Sequence, residues 1–132
     1  MRKAVFLDRD GVINKDFGYV GTISRFEFFP RVFEGLCNFV ASGFQPVVVT
    51  NQAGISKGKF TIEQYYEVTA WYLNKLKSEG IEVLDVYFCP HHPEATITKY
   101  KKKCPNRKPG SGMFLDAAKK HKISLKDSVV VG

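Results

Sequence analysis

Four short apolar runs, Ala4–Asp8, Gln45–Thr50, Val83–Phe88 and Ser128–Val131, are separated by stretches whose apolar residues recur at helical spacing. Strands joined by connections long enough to carry a helix back along the sheet pair in parallel. The predicted fold is therefore α/β, a Rossmann-like, doubly wound parallel sheet with helices on its faces. Val32, Leu36, Phe39 and Val40 predict the first helix, stopped by Gly43. Thr61 with Gln64 forms a capping-box pattern, and Ile62, Tyr65, Tyr66, Thr69, Tyr72, Leu73 and Leu76 line one predicted core side up to Gly80. Ser111 can cap a further helix through Met113, Phe114, Ala117 and Ala118, with Lys119, Lys120 and His121 suited to its carboxyl-end dipole. Cys37 falls in a helical apolar pattern and is expected in the core; His121 is expected as a surface or capping group. With 132 residues there is apolar surface for one core, so residues 1–132 are read as a single domain.

Asp8-Arg9-Asp10-Gly11 follows the first apolar run directly. Open α/β sheets place their chemistry at the carboxyl ends of strands. Residues i and i+2 of an extended segment point the same way, so Asp8 and Asp10 can face one ligand while Gly11 lets the chain turn away. Converging carboxylates call for a cation or a shared proton, and hard carboxylate and carbonyl oxygens suit Mg²⁺ where phosphate also binds. The competing reading is an ordinary Asp-Gly surface turn.

Three further stretches accompany this one: Val47-Val48-Val49-Thr50-Asn51-Gln52, Arg107-Lys108-Pro109 and Gly18-Tyr19-Val20. With Asp8-x-Asp10-Gly11 they resemble the motifs of the haloacid dehalogenase superfamily of phosphohydrolases. Ala53-Gly54-Ile55, Gly58-Lys59-Phe60-Thr61 and Cys89-Pro90-His91-His92-Pro93 extend the likeness toward its heptose-bisphosphate and histidinol-phosphate phosphatase branch, from Lys3 to Gly132. The resemblance implies a Mg²⁺-dependent phosphatase acting through an aspartyl-phosphate. Asp8 is then the nucleophile and a Mg²⁺ ligand; Asp10 is the acid and base and gives its main-chain carbonyl to Mg²⁺. Thr50 and Lys108 hold the phosphoryl oxygens, and Tyr19, Asn51, Gln52 and Arg107 contact substrate. The expected substrate is a small phosphorylated sugar, the 7-phosphate of D-glycero-D-manno-heptose 1,7-bisphosphate, with histidinol phosphate as the alternative. In the superfamily the strand resembled by Ser128–Gly132 is followed by acidic residues, at least one of them a Mg²⁺ ligand. The sequence reaches Gly132 without them, so the domain is expected to be incomplete at its carboxyl end; a form that binds phosphate without turnover is the remaining alternative.

Cys89-x-His91, followed after a loop by Cys104, has the ligand types of tetrahedral Zn²⁺ and predicts a zinc-type loop insertion. The resembling family closes this loop with Cys-x-Cys, whereas here Asn106 holds the last position. An amide is a poor zinc ligand. The site either completes itself with water or His92 or binds weakly, and an incidental loop is the competing reading.

Composition narrows the remaining classes. No apolar stretch reaches the length of a membrane span, and the run after Met1-Arg2-Lys3 is cut short by Asp8, so neither a membrane segment nor a signal peptide is predicted. A cytoplasmic monomer is expected. Three cysteines without a secretion signal speak against a disulfide framework. A net charge of +7 suits an anionic substrate or a nucleic acid alike, and Lys99-Tyr100-Lys101-Lys102-Lys103 reads as a solvated loop rim rather than a nucleic-acid surface.

Overall fold

The computed structural model describes residues 1–93, 95–100, 107–108 and 110–132. Strands β1 (Lys3–Leu7), β2 (Phe44–Asn51), β3 (Asp85–Cys89) and β4 (Val129–Val131) form one parallel sheet in the order β3-β2-β1-β4. Helices α1 (Val32–Ala41), α2 (Ala53–Ser56), α3 (Ile62–Ser78) and α4 (Gly112–His121) supply the crossovers and the short elements between them. Register is set by pairs such as Leu7 with Val48 and Val49 with Tyr87. Pro46 lies inside β2, where a missing N–H ordinarily breaks a ladder. β3 begins opposite Val47, and Leu84 N–H donates to Pro46 O at 2.8 Å, so the gap falls before the β2–β3 ladder starts.

Strand alternation divides the core into two layers. Val5, Leu7 and Val48 face Leu36 of α1 and Val68, Tyr72 and Leu76 of α3; Ala4, Phe6, Val47 and Val49 face Met113 and Ala117 of α4. Helices thus cover both faces, as the doubly wound prediction requires. Each fully buried Leu, Val or Phe contributes about 1.5–3 kcal/mol relative to exposure. Both carboxyl strand ends bearing site residues, those of β1 and β2, open on the same edge.

Several local expectations change. Tyr66 is 54% exposed, because it stands about 100° around the helix from Tyr65 and the stripe Tyr65, Val68, Tyr72 and Leu76 leaves it outside. Cys37 is likewise exposed beside buried Leu36, its sulfur 3.8 Å from Glu79 O. Ser111 stands at the start of α4 without a side-chain cap bond; its ψ of 2° is not the extended backbone that aims a hydroxyl at the first-turn N–H groups. The Thr61–Gln64 capping box forms in both directions, at 2.8 and 3.1 Å. His121, at the end of α4, bonds Asp85 at 2.8 Å, across from α4 to β3.

Candidate active site

Asp8 leaves β1 with its N–H still bonded to Val131 O of β4 at 3.1 Å, so the nucleophile candidate is anchored on the sheet. Its Oδ1 accepts Arg9 N–H at 2.8 Å, and its Oδ2 pairs with Lys108 Nζ at 3.0 Å. Gly11, at φ +87°, lets the chain fold back, and Ile13 N–H and Asn14 N–H close the turn on Arg9 O. Asp10 is held by a different cation. Arg9 Nε and Nη2 reach its Oδ1 at 3.2 and 2.8 Å, Asn14 Nδ2 joins them at 2.9 Å, and Gln52 Nε2 reaches Oδ2 at 3.1 Å. Each carboxylate therefore has its own positive partner.

The end of β2 organises the rest. Thr50 is fully buried; its hydroxyl accepts from Gln52 Nε2 at 3.0 Å and donates to Asn51 O at 3.3 Å. Asn51 clasps Lys108 from both sides, accepting its N–H at 2.9 Å and donating to its carbonyl at 3.2 Å. Lys108 Nζ, fixed in this way, donates to Val49 O at 3.0 Å as well as facing Asp8. Of the predicted substrate contacts, Asn51 and Gln52 are thus engaged in positioning Lys108, Thr50 and Asp10, though both also line the cleft.

That cleft, of about 390 Å³, is walled by Asp8, Asp10, Gln52, Tyr19, Lys57 and Arg107 among others. Tyr19 has a left-handed backbone, φ +49°, and Arg25 steadies its loop by donating to the carbonyls of Phe17, Gly18 and Tyr19, each at 3.0 Å. Lys57 Nζ lies 3.3 Å from the Tyr19 hydroxyl, and the ammonium groups of Lys57 and Lys59 stand 5.8 and 5.7 Å from its ring centre. Phe60 packs so closely against Gly21 and Gly54 that an added Cβ at either would force the ring to shift, joining the Tyr19 loop to α2.

Sequence reasoning missed Arg9, Asn14 and Lys57. The signal for Arg9 was available: the period of two that brings Asp8 and Asp10 together sends Arg9 inward, and a buried guanidinium must find a carboxylate. It is completely buried.

For zinc, Cys89 is buried with its sulfur 3.8 Å from His91 Nδ1, while Cys104 and Asn106 lie outside the described residues. Among the described residues no group of three His, Cys, Asp or Glu side chains could hold a metal ion. None of the helices among the described residues is long and apolar enough to cross a membrane.

The family model described as polynucleotide kinase 3 phosphatase matches residues 8–132, from the first site carboxylate onward. The chain belongs to this haloacid-dehalogenase-like phosphatase family. It is 42% identical over 130 residues to the D-glycero-alpha-D-manno-heptose-1,7-bisphosphate 7-phosphatase of Photorhabdus laumondii, covering 98% of this chain and 71% of that protein. It is 45% identical over 131 residues to the D-glycero-beta-D-manno-heptose-1,7-bisphosphate 7-phosphatase of Vibrio cholerae, covering 99% and 70%. A HAD-like phosphatase from Mesorhizobium loti superposes with a TM-score of 0.91 at 34% identity, over 99% of this chain and 63% of that one. The D,D-heptose 1,7-bisphosphate phosphatase of B. bronchiseptica, solved with magnesium and phosphate, gives a TM-score of 0.85 at 27% identity, over 98% and 69%. The chain therefore spans less than two thirds of the M. loti phosphatase and about seven-tenths of the others.

Proposed function

We propose that this chain carries the phosphoryl-transfer centre of a Mg²⁺-dependent phosphomonoesterase that removes the 7-phosphate of D-glycero-D-manno-heptose 1,7-bisphosphate. The observation that carries the chemistry is Asp8, anchored at a strand end with one oxygen against Lys108 Nζ and open to the same cleft as Asp10. Its carboxylate oxygen forms a bond to phosphorus as the bond to the sugar oxygen breaks, and Asp10 gives that oxygen its proton. Asp10, now a carboxylate, takes a proton from water; the water oxygen bonds to phosphorus, the bond to Asp8 breaks, and inorganic phosphate leaves. Such acid and base help is typically worth ~10²–10⁴-fold. Lys108 balances the phosphoryl charge through both steps, and Thr50, braced by Gln52, offers its hydroxyl to the same group after rearrangement of its present bonds. The Asp8 carboxylate and the Asp10 main-chain carbonyl are hard oxygen donors of the kind Mg²⁺ takes and would hold the ion. When bound, the ion supplies charge neutralisation at the phosphoryl group.

Substrate choice is supported by the 40–45% identical relatives and by cations placed away from Lys108. Arg107 and Lys57 line the cleft beside Tyr19, where a second phosphate of a bisphosphate finds opposite charge. For the loop after β3 we include a structural zinc held by Cys89, His91 and Cys104, supported by the approach of Cys89 sulfur to His91; metal analysis should find about one zinc per chain, and protein purified without chelator and lacking zinc overturns it. The central test is Asp8→Asn, which should abolish hydrolysis in Mg²⁺ while leaving the melting temperature close to wild type. A panel of both heptose bisphosphate anomers, histidinol phosphate and a 3′-phosphorylated oligonucleotide measures substrate choice. Turnover by Asp8→Asn within a few-fold of wild type removes the nucleophile, and preference for the oligonucleotide removes the sugar.

A further inference from the structure

We infer that Arg9 is a positioning residue that fixes the orientation of the Asp10 carboxyl group toward the leaving group. This rests on the acid role given above to Asp10. Arg9 is completely buried, yet it takes no part in substrate contact: the cleft is lined by its neighbours Asp8 and Asp10 and not by it. A guanidinium taken out of water costs several kcal/mol unless its partners are well placed. Here Nε at 3.2 Å and Nη2 at 2.8 Å both reach Asp10 Oδ1, while Nη1 has no partner among the described residues. Asn14 Nδ2 adds a third donor to the same oxygen at 2.9 Å. Three N–H donors thereby fix Oδ1 in place. Oδ2 faces a single donor, Gln52 Nε2 at 3.1 Å. The guanidinium and Asn14 thus hold the carboxyl group by Oδ1 and leave Oδ2 the less constrained of the two oxygens.

The same side chain fixes where that carboxyl group stands. Arg9 Nη2 also donates to Val20 O at 2.6 Å, in the segment that carries Tyr19 over the cleft, and the guanidinium lies 5.9 Å from the Phe26 ring centre. Asp10 is therefore tied through Arg9 to the covering loop as well as to its own turn. Small misplacements of an acid cost rate because proton donation depends on distance and alignment, whereas ground-state binding of phosphate by Lys108 does not pass through Arg9.

The test uses leaving groups of different basicity. A sugar alkoxide needs a proton as it departs; p-nitrophenolate does not. Release of the leaving group in the first turnover, before the aspartyl-phosphate is hydrolysed, is measured for the heptose bisphosphate and for p-nitrophenyl phosphate, with melting temperatures followed in parallel. Arg9→Met should slow release from the sugar phosphate by about 10²-fold and from the aryl phosphate by less than about threefold, with KM little changed. Arg9→Lys, which keeps the charge and loses the fork, should lose about tenfold on the sugar phosphate alone, and it carries the comparison if Arg9→Met does not fold. Equal losses on both substrates, or none, overturn the role of Arg9. Asp10→Asn separates the two levels: if it too shows no dependence on the leaving group, Asp10 is not the acid and the underlying reading fails, whereas a dependence in Asp10→Asn absent from the Arg9 variants removes only Arg9.

Discussion

Asn51 shows how one amide can matter to catalysis without touching the reacting atoms. Its carbonyl oxygen and its amino group take the N–H and the carbonyl of Lys108, so truncation frees the backbone of the residue whose ammonium faces Asp8. Asn51→Ala is expected to lower kcat about 10–100-fold with a smaller change in KM; a rise in KM with kcat intact would assign it to substrate binding instead. Lys57 belongs to the opposite case. Lys57→Met should raise KM for a bisphosphate roughly tenfold and leave a monophosphate analogue unaffected, which steady-state kinetics on both compounds will show. At this scale the sequence made the placement of Asp8, Asp10 and Thr50 legible because strand ends mark them, and Lys108 was marked by the family resemblance alone. It did not reveal Lys57, whose meaning depends on Tyr19 being brought against it from 38 residues away.

Elements were more readable than their edges. β1 to β4 lie within one or two residues of their predicted spans, since apolar runs between turn-forming residues leave few other places to go. α2 was invisible: four residues are too few for any period to show. Its importance comes from Gly54, which with Gly21 receives the flat ring of Phe60. Gly54→Ala should cost about 1–3 kcal/mol by overpacking and lower the melting temperature by several degrees. Combining it with Phe60→Leu should be less harmful than the sum of the two, because the second change vacates the space the first needs. Additive losses would mean that α2 is held by something other than that ring.

On the scale of the whole molecule, the ionic arrangement at the amino end of β3 links sheet to helix. Burial works against the charge of Asp85, but hydrogen bonds from His121, Val86 N–H and Lys120 prevail and hold its carboxyl below the usual range. A carboxyl group with a lowered folded-state value contributes stability that is present above its unfolded value and lost as pH falls through the folded one. Asp85→Asn should therefore lower the melting temperature by a few degrees at pH 7 and by progressively less below about pH 4, as thermal melts across that range will test. Burial moves other groups the opposite way, holding the Tyr65 hydroxyl at about 12, so the phenol beneath the site stays neutral throughout. The double bond pattern between Asn51 and Lys108 has a consequence for how such chains can diverge. Because β2 grips the main chain of Lys108 directly, the ammonium is located by that grip and not by the path leading to it. A change of length between Cys89 and Arg107 that keeps His91 and Cys104 should then cost only a logarithmic increment and leave the distance from Lys108 to Asp8 as it is.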